Sequence, residues 1–408
     1  MSELDRLGRL IYMKITRART VIIALAVGVA LPASAAPAFV SPAFAMSTRA
    51  GGPHAACNGD GVDATGMRRA MSGLPSAEAT SAQVRVTTAS GCWTGSSGVA
   101  DLRTNAPVPA NARFRIGSVT KVFTATVVLQ LAAERRVSLD APVQRYLPGL
   151  LPADYPDVTV RQLLNHTDGL PSPTLPDDIE WALAHRYDRW TPEQIVRVAL
   201  RNPREFEPGE RQHYTNMGYI VAGLLIEKIT GHSYAQEVRR RISAPLTLRD
   251  TYAPGADPTI RGPHAHGYQA VTRDGVTSLT DVTNWSQTLT PASGDMISTL
   301  ADLDTFTAAL FGGRLLPAAQ LDEMFTLPPV KDVTGGPATH SAGLEATTLP
   351  TGEVLWAKSG ARYGYSTAIG ASRDGSFRIV YSVTATDAKG EGQMSTADGI
   401  IYAALDMR

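Results

Sequence analysis

Lysine is scarce in this chain. Lys14, Lys121, Lys228, Lys331, Lys358 and Lys389 stand among abundant arginines, and 38 Lys+Arg balance 38 Asp+Glu. With zero formal net charge and no basic run beyond the N-terminus, the chain lacks the electrostatic footprint of a nucleic-acid binder. Cysteine is scarcer still, with only Cys57 and Cys92. No Gly-x-Ser-x-Gly elbow occurs, which argues against one common way of presenting a nucleophilic serine. Internal repeats are absent too. The apolar run over residues 21–31 is too short to cross a bilayer as a stable helix. What remains is an ordinary globular composition, 43% hydrophobic and 19% charged over 408 residues. Length alone would allow two or three domains, although large enzymes break that rule.

The N-terminus reads as a targeting segment. Arg6, Arg9, Lys14, Arg17 and Arg19 precede the apolar run, and small residues follow it to Ala43-Phe44-Ala45, the pattern of a secretory signal peptide. Ala33-Ser34-Ala35 is a second possible cleavage site, and Met13 an alternative start. Residues 1–45 are therefore expected to be removed, leaving residues 46–408 as one secreted, extracellular catalytic domain with no membrane anchor. Export to an oxidising compartment makes a Cys57–Cys92 disulfide reasonable.

Periodicity organises the rest. A helix is expected over 62–74, then two strands around Val84–Val86 and Cys92–Val99 with a turn near 88–91. An apolar helix should follow residue 118 and run to about Arg136. Residues 147–300 read as mainly helical, with helices over 191–201 and 219–230, the latter closed by Gly231. Another helix fits 300–311. Strands then dominate at 354–356, 367–371 and 377–386, the last two joined at Asp374-Gly375, a hairpin signal. Residues 394–407 read as a closing helix. Strands at both ends with helices between imply an α+β fold: an antiparallel sheet covered by its terminal helices, with a helical subdomain inserted.

Chemistry concentrates in three short stretches. Ser118-Val119-Thr120-Lys121 sits where a loop enters the first long apolar helix, so residues three apart meet on one face. A serine hydroxyl needs a base within reach, and a lysine serves when burial or cationic neighbours lower its pKa. Free N–H groups at a helix N-terminus favour a developing oxyanion. Tyr214-Thr215-Asn216 follows the turn Pro208-Gly209-Glu210, and Lys358-Ser359-Gly360 follows the short strand. A tyrosine or lysine alone is more often structural. Their order and spacing behind Ser-x-x-Lys make a shared catalytic site the better reading.

These stretches resemble the penicillin-recognising serine hydrolases, the group of class C β-lactamases and soluble D-alanyl-D-alanine carboxypeptidases, and among them the secreted actinomycete carboxypeptidases most. The likeness is carried by residues 114–121 (FRIGSVTK), 160–170 (VRQLLNHTDGL), 214–219 (YTNMGY) and 298–303 (STLADL), and extends from about Gln83 to the C-terminus. It implies the β-lactamase/DD-peptidase-like fold and a Ser118 nucleophile that forms an acyl-enzyme. Lys121 and Tyr214 would move the proton, and Asn216 would hydrogen-bond the acyl-side amide. Lys358 would supply charge near the tyrosine and the leaving group. Backbone N–H groups of Ser118 and Ala361 would form the oxyanion hole, with Ser359, Gly360, Arg362 and Trp285 lining the cleft. No metal or cofactor is implied. The expected substrate is a peptidoglycan stem peptide ending in D-Ala-D-Ala, with β-lactams as acylating inhibitors. Rival readings are an esterase, D-amino-acid amidase or β-lactamase, or a penicillin-sensing module without turnover. A monomer is expected.

Two departures from the family pattern bear on specificity. The carboxypeptidases carry His and Thr where this chain has Lys358 and Ala361, and an arginine where it has Glu345. Those residues hold the substrate's terminal carboxylate, a task Arg362 would have to take over. His264-Ala265-His266 lacks acidic or cysteine partners at chelating spacing, so a structural role is favoured over a metal pair. His166 reads as a turn residue, and His213, beside Tyr214, as the better source of an indirect effect on the site.

Overall fold

The computed structural model describes residues 57, 59, 63–176, 178–349, 351–390 and 394–407. The signal segment expected at 1–45 lies outside them. Among the described residues, no helix is long and apolar enough to cross a membrane. Cys57 and Cys92 are disulfide-bonded, with their Cα atoms 5.2 Å apart.

Helix α1 (Thr65–Ala70) leads into strands β1 (Ala79–Thr88), β2 (Gly91–Asp101) and β3 (Ala106–Pro107). Strands β10 (Glu345–Thr348), β11 (Val354–Arg362), β12 (Tyr365–Ser372) and β13 (Arg378–Ala385) come from the other end of the chain. All seven form one antiparallel sheet in the order β10-β11-β12-β13-β1-β2-β3. The two chain ends thus meet at β13–β1. Alternation along these strands buries two faces against different partners. On one face Val84, Val86, Ile379 and Tyr381 pack with Met67 of α1 and Ile400 of the closing helix α10 (Met394–Leu405). On the other, Ile369 and Val380 pack with α2 (Thr120–Ala133) and α8 (Leu300–Phe311), where Phe123 and Phe306 stack at 3.8 Å.

Helix α2 is buried on nearly every side, as a helix apolar all round must be. It packs against α6 (Met217–Thr230), which ends at Gly231. Short helices α3 (Val160–Leu164), α4 (Ile179–Ala184) and α5 (Pro192–Ala199) precede it, and α7 (Tyr234–Val238) follows. Capping boxes at Thr159, Thr191 and Ser233 start α3, α5 and α7, each satisfying two otherwise free N–H groups. A small second core of Leu163, Ile195, Val196, Ile220 and Val221 holds α3, α5 and α6 together. This middle stretch also contains a hairpin, β6 (Tyr268–Arg273) and β7 (Val276–Asp281). The remaining elements are the pairs β4 (Phe114–Arg115) with β8 (Ile297–Ser298) and β5 (Arg211–Gln212) with β9 (Lys331–Asp332), and helix α9 (Ala318–Glu323).

The expected elements differ from the observed ones in the 147–300 stretch, which is less helical than expected and holds the β6–β7 hairpin, and at β10 and β11. The sequence pattern suggests a strand only over 354–356, yet β11 continues to Arg362, paired with β12 throughout. Ser359, Gly360 and Ala361 are small and lack strand propensity, so tertiary pairing holds them extended.

Candidate active site

The site forms where α2 begins. Strand β4 pairs with β8 and hands the chain to a tight 3₁₀ turn, Gly117–Val119, that runs into α2. Gly117 takes a φ of +48°, a conformation that favours glycine. A methyl group on Gly117 would lie 2.6 Å from the Ala361 nitrogen, and one on Gly360 would lie 2.1 Å from the Ile116 carbonyl oxygen and 2.6 Å from the Ser118 nitrogen. The nucleophile turn and strand β11 therefore touch through backbone alone. That contact puts the amide nitrogens of Ser118 and Ala361 on one small patch, as an oxyanion hole requires.

Lys121 is fully buried in the first turn of α2, about one turn beyond Ser118. Its ammonium donates to Ser118 Oγ at 3.1 Å, to Asn216 Oδ1 at 2.7 Å and to the Ser293 carbonyl at 2.8 Å. All three donors are used, an arrangement that suits the charged form. Burial nevertheless lowers its pKa to about 8; the Tyr214 phenol works against this and the Lys358 charge adds to it.

Tyr214 lies in the loop between β5 and α6. Lys121 Nζ sits 5.0 Å from the centroid of its ring and Lys358 Nζ 4.6 Å from it. Its hydroxyl is buried and makes no hydrogen bond of ordinary geometry, although Ser118 and Lys121 are close enough to act on it. Burial would raise its pKa, but Lys121 and then Lys358 outweigh that and bring it down to about 8. A buried phenol beside two cations loses its proton more readily, and the phenolate so formed can then take the proton of the serine.

Along β11 the side chains alternate. Lys358, Gly360 and Arg362 are buried, whereas Ser359 and Ala361 are exposed. Strand β10 pairs with β11 only from Val354 to Ala357, so the edge from Lys358 onward has no neighbour strand on that side. Lys358 Nζ donates to the Ser359 carbonyl at 3.0 Å. Glu345 ends β10 opposite Ala357; burial raises its carboxyl pKa while the Lys358 charge holds it down. Arg362 is buried, and its Nε has no hydrogen-bond partner among the described residues. Trp285 lies in a small apolar cluster with Val271 and Val282, stacked on Tyr363 at 4.4 Å.

The histidines divide. His264 bonds the Gly262 carbonyl and His266 bonds Asp281, each at a distance set by local turns. Among the described residues, no group of acidic, histidine or cysteine side chains is arranged to hold a metal. His213 pairs with Glu205 at the surface. His166, with φ +61°, is buried and packs its ring 4.5 Å from that of Tyr214. His340 lies 4.9 Å from the same ring, and nothing in its local sequence marks it. Gln212 went equally unmarked, being legible only through its partners in space.

Comparison with known proteins agrees with this geometry. The Beta-lactamase family model matches residues 67–403. A D-stereospecific amidohydrolase from Streptomyces sp. superposes with a TM-score of 0.72 at 34% identity, covering 84% of this chain and 98% of that one. Penicillin-binding protein 4* of Bacillus subtilis (strain 168) is 29% identical over 281 residues, 66% of this chain and 60% of that protein. Esterase EstB of Burkholderia gladioli is 32% identical over 40% of this chain and 43% of its own length. The chain thus spans less than two thirds of these curated relatives. With the family match covering most of its length and the sheet, helices and serine turn in place, the chain belongs to the Beta-lactamase family of serine hydrolases.

Proposed function

We propose that this protein hydrolyses amides of D-configured amino acids through an acyl-Ser118 intermediate. Tyr214 first gives up its own proton to solvent, which its lowered pKa permits; Ser118 Oγ then attacks the carbonyl as the serine proton passes to the Tyr214 phenolate oxygen, beside Lys121 and Lys358. The negative charge forming on the carbonyl oxygen is received by the N–H groups of Ser118 and Ala361. Collapse breaks the C–N bond while Tyr214 returns the proton to the leaving amine. Water then attacks the acyl-serine by the reverse proton route. Lys121, saturated by Ser118, Asn216 and Ser293, keeps its charge and holds the tyrosine acidic. Asn216, tied to Lys121 through Oδ1, keeps its amide nitrogen for the acyl side of the substrate, and the unpaired edge of β11 offers backbone groups to it.

Glu345 is the observation that carries the choice of an amide over a carboxyl-terminal peptide. A carboxylate beside Lys358 offsets the charge that a D-alanine leaving group would need, and no arginine of β10 stands there instead. Similarity to the Streptomyces amidohydrolase supports the same choice. The D-Ala-D-Ala carboxypeptidase reading, with β-lactams as inhibitors and secretion of the processed chain, stays as the second. It is favoured by Lys358 on β11 and by the likeness to a penicillin-binding protein.

The test compares kcat/KM of the purified protein on D- and L-phenylalanine amide and on an acyl-D-Ala-D-Ala peptide. A charge-assisted anchor contributes about 1.5–3 kcal/mol, so its absence should favour the D-amide over the peptide by roughly tenfold or more. Equal or better turnover of the peptide would hand the assignment to the carboxypeptidase reading. Glu345→Arg should shift preference toward the peptide.

A further inference from the structure

Tyr214 is held by an unusual set of neighbours. Its hydroxyl makes no hydrogen bond of ordinary geometry, although Ser118 and Lys121 lie close to it, so the place of the oxygen depends on how the ring is packed. The ring packs against two imidazoles, His166 at 4.5 Å and His340 at 4.9 Å, which also meet each other edge-on at 5.4 Å. Both are buried beside Lys121 and Lys358. Burial drives the His340 pKa down to about 3 and that of His166 well below its ordinary value, so both rings are neutral at working pH. Neutral rings pack against the phenol without adding a third cation to the site.

These imidazoles come from loops far apart in sequence, and one side chain ties the loops together. Gln212, two residues before Tyr214 and 2% exposed, has both ends of its amide engaged. Its Oε1 accepts from the Thr339 N–H at 2.9 Å and the His340 N–H at 3.0 Å. Its Nε2 donates to the His340 carbonyl at 2.7 Å and to the Asn165 carbonyl, next to His166, at 2.7 Å. The His213 N–H donates to the His166 carbonyl at 2.9 Å, closing the same junction from the backbone side. An amide has two donors and a carbonyl with two lone pairs, so Gln212 is used to capacity. A fully satisfied buried polar junction of this kind specifies one arrangement of the segments it joins.

We propose that Gln212 is a positioning residue for acyl transfer: by tying the His166 and His340 loops together against the Tyr214 ring, it sets the place of the phenol oxygen relative to Ser118, Lys121 and Lys358. The inference rests on Tyr214 being the proton acceptor. It assigns no contact between Gln212 and substrate. The groups facing Tyr214 are Ser118 and Lys121 from the serine turn and α2, Lys358 from β11, and His166 and His340 from the two loops. Glu345 bears on it through His340, whose Nε2 lies 3.6 Å from the Glu345 carboxylate.

Two readouts test this. One is turnover of p-nitrophenyl acetate, a neutral ester that ignores leaving-group specificity. The other is the titration of Tyr214 by NMR in protein carrying ring-labelled tyrosine, which needs no turnover. Gln212→Glu keeps the size and removes the two donated bonds; Gln212→Ala removes all four. Each should lower kcat about tenfold or more with KM within about threefold, and move the Tyr214 titration by more than about half a pH unit. If both Gln212 variants fail to fold, Gln212→Met, which keeps the side-chain size and removes all four bonds, carries the same expectations. Folded variants with an unmoved Tyr214 titration overturn the proposal, whatever their kcat. A parent protein that cleaves the ester but no D-amino-acid amide would instead refute the amidase reading and leave the titration result standing.

Discussion

Gly360→Ala is the sharpest probe of the backbone contact between β11 and the serine turn. A methyl at this position would sit 2.1 Å from the Ile116 carbonyl oxygen, 2.6 Å from the Ser118 nitrogen and 3.0 Å from the Gly117 carbonyl carbon. All three atoms are backbone, so no side chain can swing away. An ordinary contact begins near 3.4 Å, and the strand and turn must therefore part by about 1 Å. That displacement separates the Ser118 and Ala361 amides, the two groups aimed at the developing oxyanion. A shift of this size costs on the order of 10²-fold in rate, and loss of one oxyanion donor ~10²- to 10³-fold. The assay is the second-order rate of covalent labelling by a fluorescent penicillin, alongside the burst of p-nitrophenol from the acetate ester. Near-ultraviolet circular dichroism and Tm establish that the variant is folded. Both rates should fall by about 10²-fold or more, because neither reagent can acylate Ser118 without the oxyanion site. A folded Gly360→Ala protein that acylates within about threefold of the parent would show that this strand does not form part of the oxyanion hole.

Other expectations follow from the charges. Lys358 lowers the pKa of both Lys121 and Tyr214, each brought to about 8, so Lys358→Met should raise both. Because activity requires a proton to leave this pair, the rise of the pH–rate profile should move to higher pH in that variant, and an unmoved profile would exclude the coupling. Tyr214→Phe and Lys121→Met should each slow acylation on the order of 10²-fold or more, and the double variant little beyond the worse single one; additive losses would mean separate steps. Ser118→Ala should abolish labelling by the fluorescent penicillin in a folded protein, and surviving label would move the nucleophile elsewhere.

How much of this was legible in the sequence depends on the range of each interaction. The helices over 300–311 and 217–230, the hairpin at Asp374-Gly375 and the meeting of Ser118 with Lys121 follow from periods of 3.6 and 2 and from turn chemistry, all local rules. Those rules also suggested the α+β architecture, because strands at both ends of a chain with helices between them leave few ways to bury both sheet faces. Local rules stop at β11, where Ser359-Gly360-Ala361 is extended only because β12 pairs with it. They stop again at Lys121, whose partners Asn216 and Ser293 lie 95 and 172 residues away. The lowered pKa of Lys121 comes from burial and the Lys358 charge, and that of Tyr214 from the charges of Lys121 and Lys358, quantities that exist only once the chain has folded. His340 and Gln212 show the same limit most clearly. Neither residue carries a motif, and each acquires its place beside Tyr214 from bonds between segments that the sequence holds more than forty residues apart. A residue type can announce what chemistry it is capable of; which partners surround it, and so whether that chemistry is used, is decided by tertiary packing.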